Sequence, residues 1–172
     1  EFEPGTKFDY NNSGYFLLGA IIEQVTGKAY ARVLQERILD PLEMRDTGYD
    51  LHSPLIKRRA WGYQKSPEGY TNADYLDMSL PYAAGSMYST VEDLYKWDQA
   101  LYENKIISDE SKKLMFTPGL SNYGYGFVIR DQPVGKTEQK IKITQHGGGI
   151  NGFNSLFTRV VDQKHLVVIL DN

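Results

Sequence analysis

Two stretches carry residue types suited to chemistry. The first is Phe8-Asp9-Tyr10-Asn11-Asn12-Ser13-Gly14-Tyr15, where a tyrosine stands two residues before an asparagine. The second is Gln145-His146-Gly147-Gly148-Gly149-Ile150-Asn151-Gly152-Phe153, with four glycines within seven residues beside a histidine. Glycine clusters permit tight turns and close approach of backbone to a ligand. Backbone N–H groups exposed there can stabilise an oxyanion. The histidine can carry positive charge or donate a hydrogen bond toward a substrate carboxylate or a reacting oxygen. Each stretch also has a plain structural reading. Tyrosine and asparagine both favour turns and caps, and a glycine-rich hairpin can hold a histidine satisfied by its neighbours. The second stretch is not a phosphate loop, because no Lys-Ser/Thr pair follows it and no helical pattern opens after it.

The elements that must position these residues follow from periodicity. Tyr15, Leu18, Ile21, Ile22 and Val25 recur at three- and four-residue steps, which predicts a helix with that face turned to a core. Asn12 or Ser13 can cap its start, and Thr26-Gly27 closes it. Tyr10 and Asn12 then sit on a loop braced by a packed helix, a common place for functional polar groups. A second helix is expected over Tyr30 to Leu39, burying Val33, Leu34 and Ile38 and ending at Asp40-Pro41. From Asp50 to Pro81 the pattern is loose. Arg59 to Tyr63 reads as a short strand and the rest as ordered loop. Ser89 with Glu92 has the form of a capping box for a helix to about Tyr102 that buries Leu94, Trp97 and Leu101. Asp93 and Asp98 read as solvated or helix-start charges. A shorter helix follows Ser108, with Leu114 and Met115 inward.

After Pro118-Gly119 the period changes to that of strands. Expected strands are Tyr125 to Arg130, Lys140 to Gln145, Phe153 to Val160 and His165 to Leu170. Helices come first and an antiparallel sheet last, so the predicted class is α+β.

Composition narrows the function classes. A hydrophobic share of 41% with 24% charged residues is that of a water-soluble globule. A net charge of −3 offers nothing to attract nucleic acid or an anionic membrane. No apolar run is long enough to span a bilayer. The chain has no cysteine, which removes disulfides and thiolate metal sites and fits a bacterial envelope or the cytosol equally. Three scattered histidines do not make a metal ligand set. His52 in a loop and His165 in a strand read as ordinary structural residues. Glu1-Phe2-Glu3-Pro4-Gly5 does not have the form of a signal peptide. The last residues, Asp171-Asn172, follow directly on a strand-like run, so the reading is of a fragment.

Taken together, the stretches resemble a known family. Pro4-Gly5-x-x-Phe8-x-Tyr10-x-Asn12-x-Gly14-Tyr15-x-x-Leu18-Gly19 resembles the second motif region of the serine β-lactamase and penicillin-binding protein family, in its class C β-lactamase, DD-peptidase and esterase branch. Pro41-Leu42-x-Met44-x-x-Thr47 and Ala84-Gly85-Ser86-x-x-Ser89-Thr90-x-x-Asp93-Leu94 are similar to its next segments. Tyr123-Gly124-Tyr125-Gly126-Phe127 and His146-Gly147-Gly148 resemble its strand region and third motif. These matches run in order along nearly the whole chain. The fold implied is a partial β-lactamase/transpeptidase-like domain over residues 1–172, with a mainly helical and loop part at 1–120 and antiparallel strands at 121–172.

The resemblance implies a serine acyl hydrolase of DD-peptidase, esterase or β-lactamase type, working through an acyl-enzyme and needing no cofactor. In that family a serine from a Ser-x-x-Lys motif attacks an amide or ester carbonyl. Tyr10 would be the acid/base group, a role that calls for a cation close by, since a free phenol loses its proton near pH 10. Asn12 would hold the lysine and the substrate's amide side chain. His146 stands where many relatives have lysine, which is more typical of peptidase-like and esterase-like members. Gly147, Gly148 and Gly149 would serve the oxyanion and the substrate, Gly149 giving one N–H. The tyrosines from Tyr63 to Tyr88 fall in a substrate-wall region of the family, with plain packing as the other reading.

The nucleophile is missing from this picture. No serine of the chain is followed three residues later by lysine. In the family that motif lies upstream of Tyr-x-Asn, so this chain alone is expected to be inactive; loss of such a nucleophile removes several orders of magnitude in rate. A non-catalytic binding or regulatory module that keeps the fold is the competing reading. The expected partners are a small-molecule or peptide substrate with a carbonyl group, and either the missing N-terminal segment or a second copy, because an open sheet edge invites pairing. The resemblance implies a periplasmic, secreted or envelope-associated protein, and a cytoplasmic one remains compatible with the sequence.

Overall fold

The first helix, α1 (Asn12–Thr26), starts one residue earlier than its cap was expected. Asn11 is extended and its Oδ1 accepts from the Gly14 amide at 3.0 Å, while Asn12 is already helical. Gly27 closes the helix in the left-handed region at φ 65°, its amide bonded to the Glu23 carbonyl. The computed structural model describes residues 1–172.

The apolar face expected to be buried on α1 is mostly not. Gly19 is its one buried residue, while Leu18, Ile21 and Val25 are exposed, Val25 by 79%. Periodicity marks an apolar stripe but does not say what covers it. Within this chain α1 instead meets a 3-10 turn at Tyr82–Ala84 and the next helix. A Cβ on Gly19 would lie 2.4 Å from the Ala83 Cβ and 2.6 Å from the Tyr82 ring, so the helix can approach that turn only through glycine. Phe16, Tyr30 and Tyr49 surround the Tyr82 ring, and burial pushes the Tyr82 phenol up to about 12.

The second helix, α2 (Tyr30–Leu34), runs on into a π-helical turn over Gln35–Leu39, so its hydrogen bonds lengthen by one residue and Asp40 bonds back to Gln35. The bulge turns Leu34 and Leu39 fully inward, where Val33 and Ile38 are only partly covered. Leu34, Leu39, Leu42, Met44 and Ala100 form one core cluster, with Trp97 and Tyr49 against it. A second cluster of Leu101, Phe127 and Ile129 joins the helices to the sheet through Phe116 and Phe157.

Four short strands belong to the first part of the chain. β1 (Gly48–Tyr49) and β4 (Met87–Tyr88) pair with each other. β2 (Tyr63–Ser66) and β3 (Gly69–Asn72) form a hairpin. The strand expected at Arg59 to Tyr63 is therefore displaced toward the C-terminus, and a hairpin stands where loop was expected. Its turn, Pro67-Glu68 followed by Gly69 at φ 129°, offers alternating residues too polar to register as a strand pattern.

Helices α3 (Val91–Ala100) and α4 (Asp109–Met115) follow. Thr90, not Ser89, caps α3, accepting from the Asp93 amide. Ser89 is engaged elsewhere, its Oγ 2.7 Å from Thr47 Oγ1. Ser108 caps α4, but Leu114 points outward at 56% exposure. The acids of α3 also correct the sequence reading: Asp93 and Asp98 are buried, not solvated. Burial raises the Asp93 carboxyl, yet bonds from Lys96, Thr47 and the Asp46 amide outweigh it and hold the group below the usual carboxylate range. Asp93 thereby ties the Asp46-Thr47 loop to α3.

The main sheet has the order β5-β6-β7-β8, antiparallel throughout: β5 (Val128–Pro133), β6 (Lys140–Ile150), β7 (Phe153–Val160) and β8 (His165–Asp171). β6 runs five residues beyond its expected end, straight through the glycines. Each of them has a partner on β7: Gly147 opposite Leu156, Gly148 opposite Ser155, Gly149 opposite Asn154. The class is α+β, as the sequence predicts.

Candidate active site

The sheet fixes His146. It lies on β6 just past Gln145, the last β6 residue paired with β5. Beyond that point one edge of β6 is open, and in an antiparallel strand alternate residues present N–H and C=O along such an edge. Gly147 to Gly149 occupy that free edge and line an open cleft of about 2500 Å³ together with Tyr10, Asn12 and His146.

The loop before α1 brings Tyr10 to the same place. Its hydroxyl lies 3.5 Å from His146 Nε2, across 136 positions of sequence, and 3.4 Å from Asn12 Oδ1. Both contacts are long for hydrogen bonds. The rings of Tyr10 and His146 meet edge to face with centroids 6.1 Å apart. The three polar groups singled out in the sequence thus converge on one hollow.

The His146 tautomer follows from its other nitrogen. Nδ1 lies within hydrogen-bond reach of the Gly126 carbonyl, which can only accept, so Nδ1 carries the proton. In the neutral ring the Nε2 lone pair then faces the Tyr10 hydroxyl. Gly126 adopts φ 83°, a left-handed conformation that glycine takes without strain and that turns its carbonyl to the histidine. Sequence reasoning placed Tyr123 to Phe127 only as a strand region. The alternating Tyr-Gly-Tyr-Gly was the available signal, since paired glycines mark close approach of backbone. Tyr123 sits beside the site as well, its hydroxyl 3.4 Å from Nδ1. Burial and the neighbouring Tyr15 hydroxyl push its phenol well above the ordinary value.

The far wall comes from the long segment after β1. Tyr75 and Tyr88 line the cleft, whereas Tyr63 and Tyr70 lie on the hairpin outside it and Tyr82 turns into the helices. This wall is pinned to the β6–β7 hairpin. Gly62 and Gly152 cross so closely that a Cβ on Gly152 would lie 2.6 Å from the Gly62 backbone. The Ala73 amide bonds the Gly62 carbonyl at 2.9 Å, Asn151 bonds the Asp74 carbonyl at 2.9 Å, and Asn172 bonds the Trp61 carbonyl at 2.8 Å. His52 contacts Tyr75 at 3.5 Å and His165 opens β8. No group of three or more metal-ligating side chains forms, and no helix is long and apolar enough to cross a membrane.

Comparison with known proteins agrees with this architecture. The family model described as Beta-lactamase matches residues 1–172. Penicillin-binding protein 4* of Bacillus subtilis (strain 168) is 32% identical over 189 residues, which cover 99% of this chain and 41% of that protein. Teichoic acid D-alanine hydrolase of Staphylococcus aureus is 30% identical over 173 residues, covering 96% of this chain and 40% of that protein. Among solved structures, D-amino acid amidase from Ochrobactrum anthropi SV3 superposes with a TM-score of 0.80 at 31% identity, over 99% of this chain and 51% of that one. The chain therefore spans about two-fifths to one half of the relatives it matches. Agreement along its whole length, in residue order and in fold alike, settles its kinship: this chain belongs to the beta-lactamase family.

Proposed function

We propose that this chain forms the Tyr10/Asn12/His146 side of a serine acyl hydrolase that cleaves amide or ester bonds through an acyl-enzyme, with the serine supplied from outside the chain. The observation that carries the reading is the Tyr10 hydroxyl facing the free Nε2 of His146 in an open cleft. In this reading Nε2 takes the Tyr10 proton, and the resulting imidazolium keeps its Nδ1–H on the Gly126 carbonyl. The phenolate then accepts the serine proton as the serine Oγ bonds to the carbonyl carbon. The same proton passes to the leaving nitrogen or oxygen as its bond to carbon breaks. Backbone N–H groups on the open edge of Gly147 to Gly149 stabilise the carbonyl oxygen while it carries charge, and Asn12 orients the substrate's amide. The chemistry needs no cofactor.

The names of the relatives favour D-aminoacyl esters or amides, or the peptide equivalent, as substrate class, and a cell-envelope setting. The test is covalent labelling of the full-length protein with a serine-reactive phosphonate and, in parallel, a fluorescent penicillin. A stable mass adduct on one serine is the expected result. A folded protein that takes neither label removes the hydrolase reading and leaves a non-catalytic binding module of the same fold.

The exposed stripe of α1 and the free edge of β8, with Val167 and Ile169 each about half exposed, support a further part of the proposal. A preceding segment of the protein, or failing that a second copy, covers these surfaces. The 172-residue chain alone is expected to self-associate; sedimentation as a stable, soluble monomer contradicts this.

A further inference from the structure

Tyr123 has no part in the acyl-transfer steps above, yet its ring packs beside three aromatic groups of the site. Its ring centroid lies 5.2 Å from Phe8, 6.0 Å from Tyr10 and 6.0 Å from His146. Its hydroxyl lies 3.4 Å from His146 Nδ1, on the same side of the imidazole as the Gly126 carbonyl. Its backbone is held at both ends, the amide to Leu120 and the carbonyl to the Gly119 amide. The two residues before it, Ser121 and Asn122, are both left-handed at φ 55° and 58°, a conformation that asparagine takes readily and serine does not. Strain maintained next to a site calls for a reason.

We propose that Tyr123 is a positioning residue that holds His146 in its Nδ1–H tautomer, so that the Nε2 lone pair stays turned to Tyr10. The inference deepens the hydrolase reading and rests on it for its catalytic consequence only. Burial above all keeps the Tyr123 phenol protonated. Because the Gly126 carbonyl already requires Nδ1–H as its donor, the Tyr123 oxygen 3.4 Å from the same nitrogen meets that N–H as a second acceptor. The opposite tautomer would set an Nδ1 lone pair against the Gly126 carbonyl oxygen and the Tyr123 oxygen together, and would point N–H at Tyr10.

The test uses the full-length protein with 15N-labelled histidine, the His146 signals being identified by their loss in a His146→Gln variant. Wild type is expected to show the pattern of a single, Nδ1-protonated ring. Tyr123→Phe keeps the aromatic contacts and removes only the hydroxyl. The His146 signals should move toward a tautomer mixture, and kcat on an activated D-alanyl ester should fall about fivefold with KM little changed, the size of one neutral hydrogen bond. Tyr123→Leu removes the hydroxyl with a smaller side chain, should move the same signals, and serves if the first variant does not fold. Unmoved His146 signals in the folded variants overturn the proposal. Moved signals in a protein whose wild type shows no acyl transfer keep the tautomer role and discard the hydrolase reading. Unmoved signals in an active enzyme discard Tyr123 alone.

Discussion

Tyr10→Phe in the full-length protein is expected to slow acylation by about 100- to 10,000-fold, the usual worth of a positioned acid/base group. The change removes one oxygen. It leaves the ring that packs edge-on to Tyr123 and His146, so stability should hardly move. Tyr10 is half exposed and lines the cleft, and its hydroxyl has a single proton to share between His146 Nε2 at 3.5 Å and Asn12 Oδ1 at 3.4 Å. Its loss costs the serine its proton acceptor and the leaving group its donor. If Tyr10 works through His146, removing both groups should be little worse than removing one, because residues acting as a unit are strongly non-additive. Single-turnover acylation of Tyr10→Phe, of His146→Gln and of the double variant measures this. A Tyr10→Phe enzyme within threefold of wild type ends the assigned role.

The second large effect concerns stability. Asp98→Asn should destabilise the full-length protein by about 3–5 kcal/mol, because it leaves the buried Arg159 charge without its counterion. Asp98 and Arg159 are both almost fully buried, with Nε 2.5 Å from Oδ1. The guanidinium lies 4.5 Å from the Tyr102 ring centroid and 5.4 Å from that of Phe116. Its Nη2 and the Tyr102 hydroxyl have no hydrogen-bond partner, so the arginine relies on one carboxylate. Replacing both partners, as Asp98→Leu with Arg159→Met, should be milder than Asp98→Asn, since no charge is stranded. Chemical denaturation checks both; a loss under about 1 kcal/mol for Asp98→Asn contradicts the argument. The pair matters to the site because Arg159 sits opposite Thr144 on β6, two residues before His146.

That ion pair also shows where sequence reasoning stops. Asp98 read as a solvated charge because its partner is 61 residues away and no local pattern announces it. Capping failed for a different reason. Asn11, Asn12 and Ser13 can all cap, and so can Ser89 and Thr90; the choice is made by which residue is free, and Ser89 is taken by Thr47. The strand β6 was cut short at Gln145 because glycine is depleted from strands, whereas pairing with β7 carries the backbone through all three glycines. The α1 stripe was read correctly as apolar and wrongly as covered. What was legible was local: helix existence, the closing Gly27, the antiparallel final sheet, and the residue types at Tyr10, Asn12 and His146. Their approach was implied by a resemblance rather than by any spacing, since 136 residues separate the phenol from the imidazole. The Gly126 carbonyl that fixes the histidine shows in the sequence only as the Tyr-Gly-Tyr-Gly alternation, because a backbone group has no letter of its own.

The crossing of Gly62 and Gly152 has one more implication. The segment Tyr63–Asn72 leaves and returns through a clamped base, where the Ala73 amide meets the Gly62 carbonyl. Of that segment only Asn72, at the base, lines the cleft; the tip lies away from it. Residues can be added to or trimmed from the tip at Pro67–Gly69 while Trp61 and Asp74 hold station. The hairpin is thus the protein's expansion joint, open to change in length, while the two glycines beneath it admit no larger side chain at all.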